Sequence, residues 1–292
     1  YALAELDIRA VFVQHVEDIG KTLLGVPAKP VTELPDSDAR VVLVTAFDAA
    51  RLMDHIRHLV PAGMVVMSLD DMRLPDAMLT NPRRYLDPLN FATNFGFLRD
   101  AEGQHTRIVT CDYWSGLGAA RPPTVWFRLF DGEGGVLAEW QDTIAVPGAS
   151  LIIDSREVRG RFNLGEFTGS LFMQVLGVAR HDVVKYALDT FGDDETVLSC
   201  THDANAWPSD LFAGLPAPRD NERVVMWIQN SHPVPIPANA VGLNLMGSDN
   251  IRYVNEVIPA FACYPLDVAS LFPEARWPQQ LEVQAGSHFV RP

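Results

Sequence analysis

Hydrophobic and polar positions change period along this chain. Residues 39–47, ARVVLVTAF, form an unbroken apolar, β-branched run, the pattern of a strand buried on both faces. The next segment, DAARLMDHIRHLV, sets Leu52, Ile56 and Leu59 on one helical stripe, with Asp48 placed to cap its start and Pro61 and Gly63 to close it. MVVMSL at 64–69 repeats the buried-strand pattern, so residues 1–80 read as an α/β unit with a right-handed β-α-β crossover. Upstream, Ile8, Val11, Phe12, His15, Val16 and Ile19 share one face at helical spacing and predict a helix; a strand from Ile8 to Val13 is the competing reading. Prolines and turn-formers then accumulate, which predicts a linker at 81–94 preceded by a short helical turn near Asp76 to Leu79.

From residue 95 the spacing becomes period two. FGFLRD and HTRIVTCDYW flank AEGQ, and TVWFRLFD and VLAEWQDTIAV flank GEGG, the pattern of two hairpins with short Gly-containing connections. SLIIDS, GSLFMQVLG and VVKYALDT bring the segment 95–200 to about seven strands, as expected for an antiparallel β-sandwich. After a Pro-rich connection at 201–222, a second series runs over 223–292. Arg107 and Arg223, Val109 and Val225, Ser115 and Ser231, Val125 and Val241, and Leu129 and Leu245 recur at one constant spacing. The expected fold is therefore an α+β multidomain chain: a β-α-β unit followed by two tandem, duplicated antiparallel β-sandwich units. The second copy stops where the first has VVKYALDT. Leu281 to Arg291 is accordingly expected to be a strand needing a partner from the first copy, from another subunit in a homo-oligomer, or from residues outside the sequence.

The stretch TVWFRLFDGEGGVLAEWQDTIAVPGASLIIDSREV, followed by EFTGSLFMQVLG and VVKYALDT, resembles the bacterial sandwich family that includes the sensory rhodopsin transducer. The shared order is an apolar strand, a Gly turn, a strand ending in V-P-x-x-S, an acidic strand end and a later G-S-L-x-x-x-V hairpin. The resemblance covers residues 105–190, with an echo in the second copy. It implies a sandwich used for binding or assembly and carries over no catalytic residue.

Composition narrows the function classes. With a net charge of −14 and a pI near 4.9, the averaged field repels phosphate backbones, which excludes general nucleic-acid binding. No apolar run approaches the roughly 18–20 residues of a spanning helix, so membrane insertion is not expected. Cys111, Cys200 and Cys263 are scattered and form no CxxC pair, which suits reduced thiols and a cytoplasmic protein. The sequence opens on Tyr1 and closes on SHFVRP, which reads as a strand, the pattern of a portion of a longer chain.

Three constellations carry candidate chemistry. Cys200, His202, Asp203, Asn205 and Trp207 gather thiol, imidazole, carboxylate and indole in one short stretch; Cys200 and His202 could ligate a divalent metal, and the others could line a ligand pocket. Against this, a strand ending at Cys200 followed by turns at Asp203 and Asn205 explains the same residues. Asp48, Asp70 and Asp71 fall at the carboxyl ends of two predicted parallel strands, where open α/β sheets bind ligands. There the competing explanation is capping, and no phosphate-cradling Gly motif accompanies them. Trp114 and Trp207, read as loop residues, could stack on a sugar ring; Trp126 reads as core.

Two functions remain. The first is a non-catalytic binding or assembly protein recognising a small polar ligand, a glycan or a partner protein. The alternative is a hydrolase or transferase acting on a sugar-like substrate between the α/β unit and the first sandwich, with Asp48, Asp70, Asp71 and Asp203 as catalytic candidates.

Overall fold

The computed structural model describes residues 6–194, 198–204 and 210–285, with the side chains of 202–204 outside the description. The chain divides into two compact units, Tyr1–Asn90 and Phe91–Pro292. No helix among the described residues is long and apolar enough to cross a membrane.

In the first unit, β1 (Val11–Val13), β2 (Thr22–Leu23) and β3 (Val26–Pro30) form a small sheet in the order β1-β3-β2. The helix predicted here is absent: the β-branched pair flanking Phe12 is extended and pairs in parallel with Ala28–Pro30, leaving only a 3₁₀ turn at Val16–Asp18. Next come β4 (Val41–Val44), helix α1 (Ala50–Ile56) and β5 (Val65–Ser68), with β4 and β5 parallel and paired from Val41↔Val65 to Val44↔Ser68. Val44, Ala49 and Ile56 form a small core under α1. The expectation that both faces of these strands are buried does not hold, since Val41, Leu43, Val65 and Met67 are exposed. Nor is 81–90 a loose linker. Asn90, fully buried, donates from Nδ2 to the carbonyls of Asn81, Arg84 and Tyr85, while its Oδ1 accepts from the Asn81 amide. One amide side chain thus supplies the backbone partners that this irregular segment lacks.

The second unit opens with an eight-stranded antiparallel sheet. Its members are β6 (Thr93–Ala101), β7 (Gln104–Cys111), β8 (Thr124–Phe130), β9 (Val136–Thr143), β10 (Ser150–Asp154), β11 (Phe167–Leu176), β12 (Lys185–Gly192) and β13 (Leu198–Ala204). β6 and β7 pair only next to their turn; β7 then continues between β12 and β10, while β6 continues beside β11. The result is two ladders, β13-β12-β7-β10 and β6-β11-β8-β9, joined at one hairpin tip. Leu98, Ile108, Phe127, Leu129, Leu171 and Met173 are buried among them. Helix α2 (Ser155–Phe162), which the period-two reading missed, follows β10.

Beyond it lie β14 (Leu211–Pro216), β15 (Val225–Gln229), β16 (Gly242–Leu245), β17 (Arg252–Tyr253), β18 (Cys263–Asp267), the short helix α3 (Val268–Leu271) and β19 (Gln280–Gln284). The sheet order β14-β19-β16-β17 corrects the expected unpaired edge: β19 is flanked on both sides, and its outer partner β14 comes from the Pro-rich segment read as a connection. Residues 286–291 of the expected strand lie outside the described residues. The two β regions share a close junction. Gln229 Nε2 donates to the Gly96 carbonyl at 3.1 Å and to Ser170 Oγ at 2.8 Å, and the Cys263 amide donates to the Gly132 carbonyl. Phe261 stacks on Phe130 with centroids 4.5 Å apart.

Candidate functional site

A cluster of buried polar groups lies at the tip of the β6–β7 hairpin. Glu102 and Gly103 both take positive φ, 54° and 69°, giving the two-residue turn whose twist suits a hairpin. That turn places Ala101 opposite Gln104 and Asp100 opposite His105. Directly paired residues share a face, so carboxylate and imidazole meet: His105 Nδ1 lies 2.6 Å from Asp100 Oδ1. Both side chains are buried, and the second imidazole nitrogen, Nε2, lies 3.1 Å from Oδ1 of Asp193, one residue past β12.

Helix α2 closes the arrangement. The Asp154 side chain caps it by accepting from the Arg156 amide, and Asn163 ends it in the left-handed conformation, its N–H returning to Arg159 and Gly160 carbonyls. Between those caps Arg159 extends Nη1 to Asp100 Oδ2 at 3.4 Å. Asp100, His105, Arg156, Arg159, Gly160, Asn163 and Leu164 line an open cleft of about 390 Å³. Arg156, on the cleft wall, and Arg107 both stand over the Phe191 ring, their guanidiniums 5.0 and 4.8 Å from its centroid.

Asp154 ties strand, helix and cleft together. Burial pushes its carboxyl up, but hydrogen bonds from the Arg156 and Arg107 side chains and from the Arg156 amide outweigh burial and hold it below the usual carboxylate range. A carboxyl depressed in the folded state stabilises above its unfolded value, about 3.9, and the contribution is lost as pH falls through the folded value. Denaturation midpoints are therefore expected to drop on acidification below about pH 4, and Asp154→Asn to flatten that dependence relative to the parent. Equal pH slopes in parent and variant would contradict the coupling.

The residues singled out from sequence are placed differently. Asp70 Oδ1 and Oδ2 accept from the Asp48 and Ala49 amides, both at 2.8 Å, and Arg73 Nη1 lies 3.3 Å from Asp48 and 3.6 Å from Asp70. Asp71 forms a capping box with Ser68. Asp70 thus holds the loop that starts α1, while Asp71 caps the 3₁₀ turn that follows β5. Asp48 is not the cap of α1: it sits at φ 54°, and the cap position is Ala49. Trp114 is corrected outright. Its indole is fully buried and donates to the His181 carbonyl at 2.8 Å, so no face is available to a sugar. Cys200 lies on β13 opposite Asp189, with His202 opposite Ala187 and Asp203 opposite Tyr186 in the ladder. The side chains of His202 and Asp203, and all of Asn205 and Trp207, lie outside the described residues. Among the described residues no group of three or more His, Cys, Asp or Glu could hold a metal ion.

The thiols differ in a way that labelling can read. Cys111 and Cys200 are exposed and Cys263 is buried. The Asp189 carboxylate, accepting from the Cys200 thiol, pushes that thiol up; burial pushes Cys263 up to about 12. In mildly alkaline buffer a disulfide reagent is expected to modify Cys111 first, Cys200 more slowly, and Cys263 only after unfolding. Native-state labelling of Cys263 at the Cys111 rate would contradict its placement.

The sequence carries one signal of this cluster: a carboxylate and an imidazole, Asp100 and His105, flank the short connection of a predicted hairpin, whereas Arg159 is brought to them only by the fold. No family model matches this chain, and no curated protein or solved structure does so either.

Proposed function

We propose that the chain is a non-catalytic binding protein built on two related antiparallel β-sandwich units, and that the cleft between α2 and the β6–β7 hairpin takes its ligand, a small polar molecule. The observation that carries this is the Asp100–His105–Arg159 arrangement: oriented, largely buried polar groups on the wall of an open cleft of about 390 Å³. The acids of the enzymatic alternative, Asp70 and Asp71, are already engaged by backbone amides.

Strand register supports the duplication. In the first region Phe127 pairs with Met173 and Leu129 with Leu171; in the second Leu243 pairs with Val283 and Leu245 with Leu281. Leu129 and Leu245 are also matched by the sequence repeat. Each region further has an arginine bound to the aspartate that caps the next helix, Arg107 with Asp154 and Arg223 with Asp267. The resemblance to the sensory rhodopsin transducer family points the same way, toward binding or assembly.

A thermal-shift screen of polar metabolites and glycans tests the reading, because a ligand that binds only the folded state raises the melting temperature, and does so increasingly as its concentration exceeds its dissociation constant. Stabilising compounds should lose their effect on Arg159→Ala. Stabilisation that persists in that variant would place the ligand elsewhere, and turnover of a compound dependent on His105 would favour the enzyme.

A further inference from the structure

We infer that this cleft is a carboxylate site, that the molecule it takes is a small dicarboxylate, and that the Asp193 side chain is the site's internal occupant; the inference rests on the cleft being the ligand site. His105 has a carboxylate oxygen at each ring nitrogen, Asp100 at Nδ1 and Asp193 at Nε2. The ring is thus held between an internal, buried carboxylate and an external, exposed one. The two buried acids are each shared: Asp100 between His105 and Arg159, and Asp154 between Arg107 and Arg156. Two guanidiniums, Arg156 and Arg159, line the cleft, in a chain whose net charge is −14. Cations on the wall of a cleft are what an anion site requires.

Asp193 and Asp100 hold the same ring by different means. The Asp100 side chain is 3% exposed and fixed by the hairpin register, whereas the Asp193 side chain is 87% exposed and reaches Nε2 from solvent. An exposed ionic contact contributes little, so a carboxylate from outside can replace it at small cost. Asp193 is a competitor only because the chain tethers it there. With Asp193 displaced, one carboxylate of the ligand meets Nε2 and the other reaches the Arg159 guanidinium, whose planar fork suits a carboxylate. A cleft of about 390 Å³ suits a molecule of metabolite size.

Calorimetric titration of the full chain with succinate, with the neutral succinamide as control, tests the assignment. A tethered competitor acts at millimolar effective concentration, so Asp193→Ala is expected to bind succinate about ten-fold more tightly than the parent. Arg159→Ala should abolish that binding, and Arg159→Lys, which keeps the charge but loses the fork, should weaken it; the lysine variant decides the matter if the alanine variant does not fold. Succinamide should not bind. Equal succinate affinity in the parent and Asp193→Ala, or equal binding of succinate and succinamide, overturns the assignment. If succinate fails throughout while neutral hits from the screen still depend on Arg159, the carboxylate assignment falls and the binding reading stands. Hits indifferent to Arg159 remove both.

Discussion

Gly134→Ala should lower the stability of the second unit by about 2–4 kcal/mol, the sum of a left-handed conformation forced on an L-residue and an overpacked contact. Gly134 lies in the β8–β9 turn at φ 89°, and a methyl group there would run into the Ala260 carbonyl of the second β region. The obstacle is backbone, so rotamer changes cannot relieve it. The neighbouring pieces are committed: Phe261 is stacked on Phe130, and the Cys263 amide is bonded to Gly132. Gly118→Ala is the control. It has a similar φ of 91° with open space around it, and should show only the conformational cost, about 1 kcal/mol. Denaturant midpoints of the two variants, compared with the parent, separate strain from collision. Equal losses would mean that the junction yields more readily than its geometry indicates.

Trp114→Ala should be costlier still, at about 3–5 kcal/mol for a large aromatic removed from a closed core. The indole packs against Tyr113 with centroids 4.1 Å apart, and its N–H anchors the loop before the 3₁₀ turn Ser115–Leu117 to the His181 carbonyl. Trp114→Phe keeps most of the volume and leaves that carbonyl without its donor, a loss of about 1–3 kcal/mol. The ranking distinguishes a structural tryptophan from a sugar platform. A platform would lose ligand binding in both variants with little change in unfolding midpoint; a core residue gives the reverse.

Hairpins were legible because alternation reports a half-buried ladder directly, and the flanks of AEGQ and GEGG carry it without interruption. The helix α2 was not. SREVRGRF has only one strongly apolar position, Val158, among its first seven residues, so no stripe marks it; its start is specified by Asp154 and its end by Asn163, which act through backbone hydrogen bonds. The first helix was misread for the opposite reason. Ile8, Val11 and Phe12 satisfy helical spacing and strand propensity alike, and the pairing of Val11–Val13 with Ala28–Pro30, fixed only in three dimensions, decides between them. The cleft was illegible for a related reason: the reactive residues at 200–207 are adjacent in sequence, whereas Arg159 and Asp193 join Asp100 and His105 only through strand pairing and helix docking. Trp114 read as loop because it is one; that the loop folds inward is a property of the sheets around it.

The turn at Glu102 and Gly103 sets a limit on how this chain can vary. Asp100 and His105 share a face because two residues, and no other number, separate the last ladder pair, Ala101 and Gln104. One residue more or fewer would turn His105 to the opposite side of β7 or break the pairing, since side chains alternate with every position. Side-chain replacements in the hairpin can be graded, from Asp100→Asn to Asp100→Ala, but length cannot. Across homologous sequences, loss of the site should therefore coincide with insertions or deletions at 102–103, and the two-residue spacing should persist wherever the acid and the imidazole are both kept.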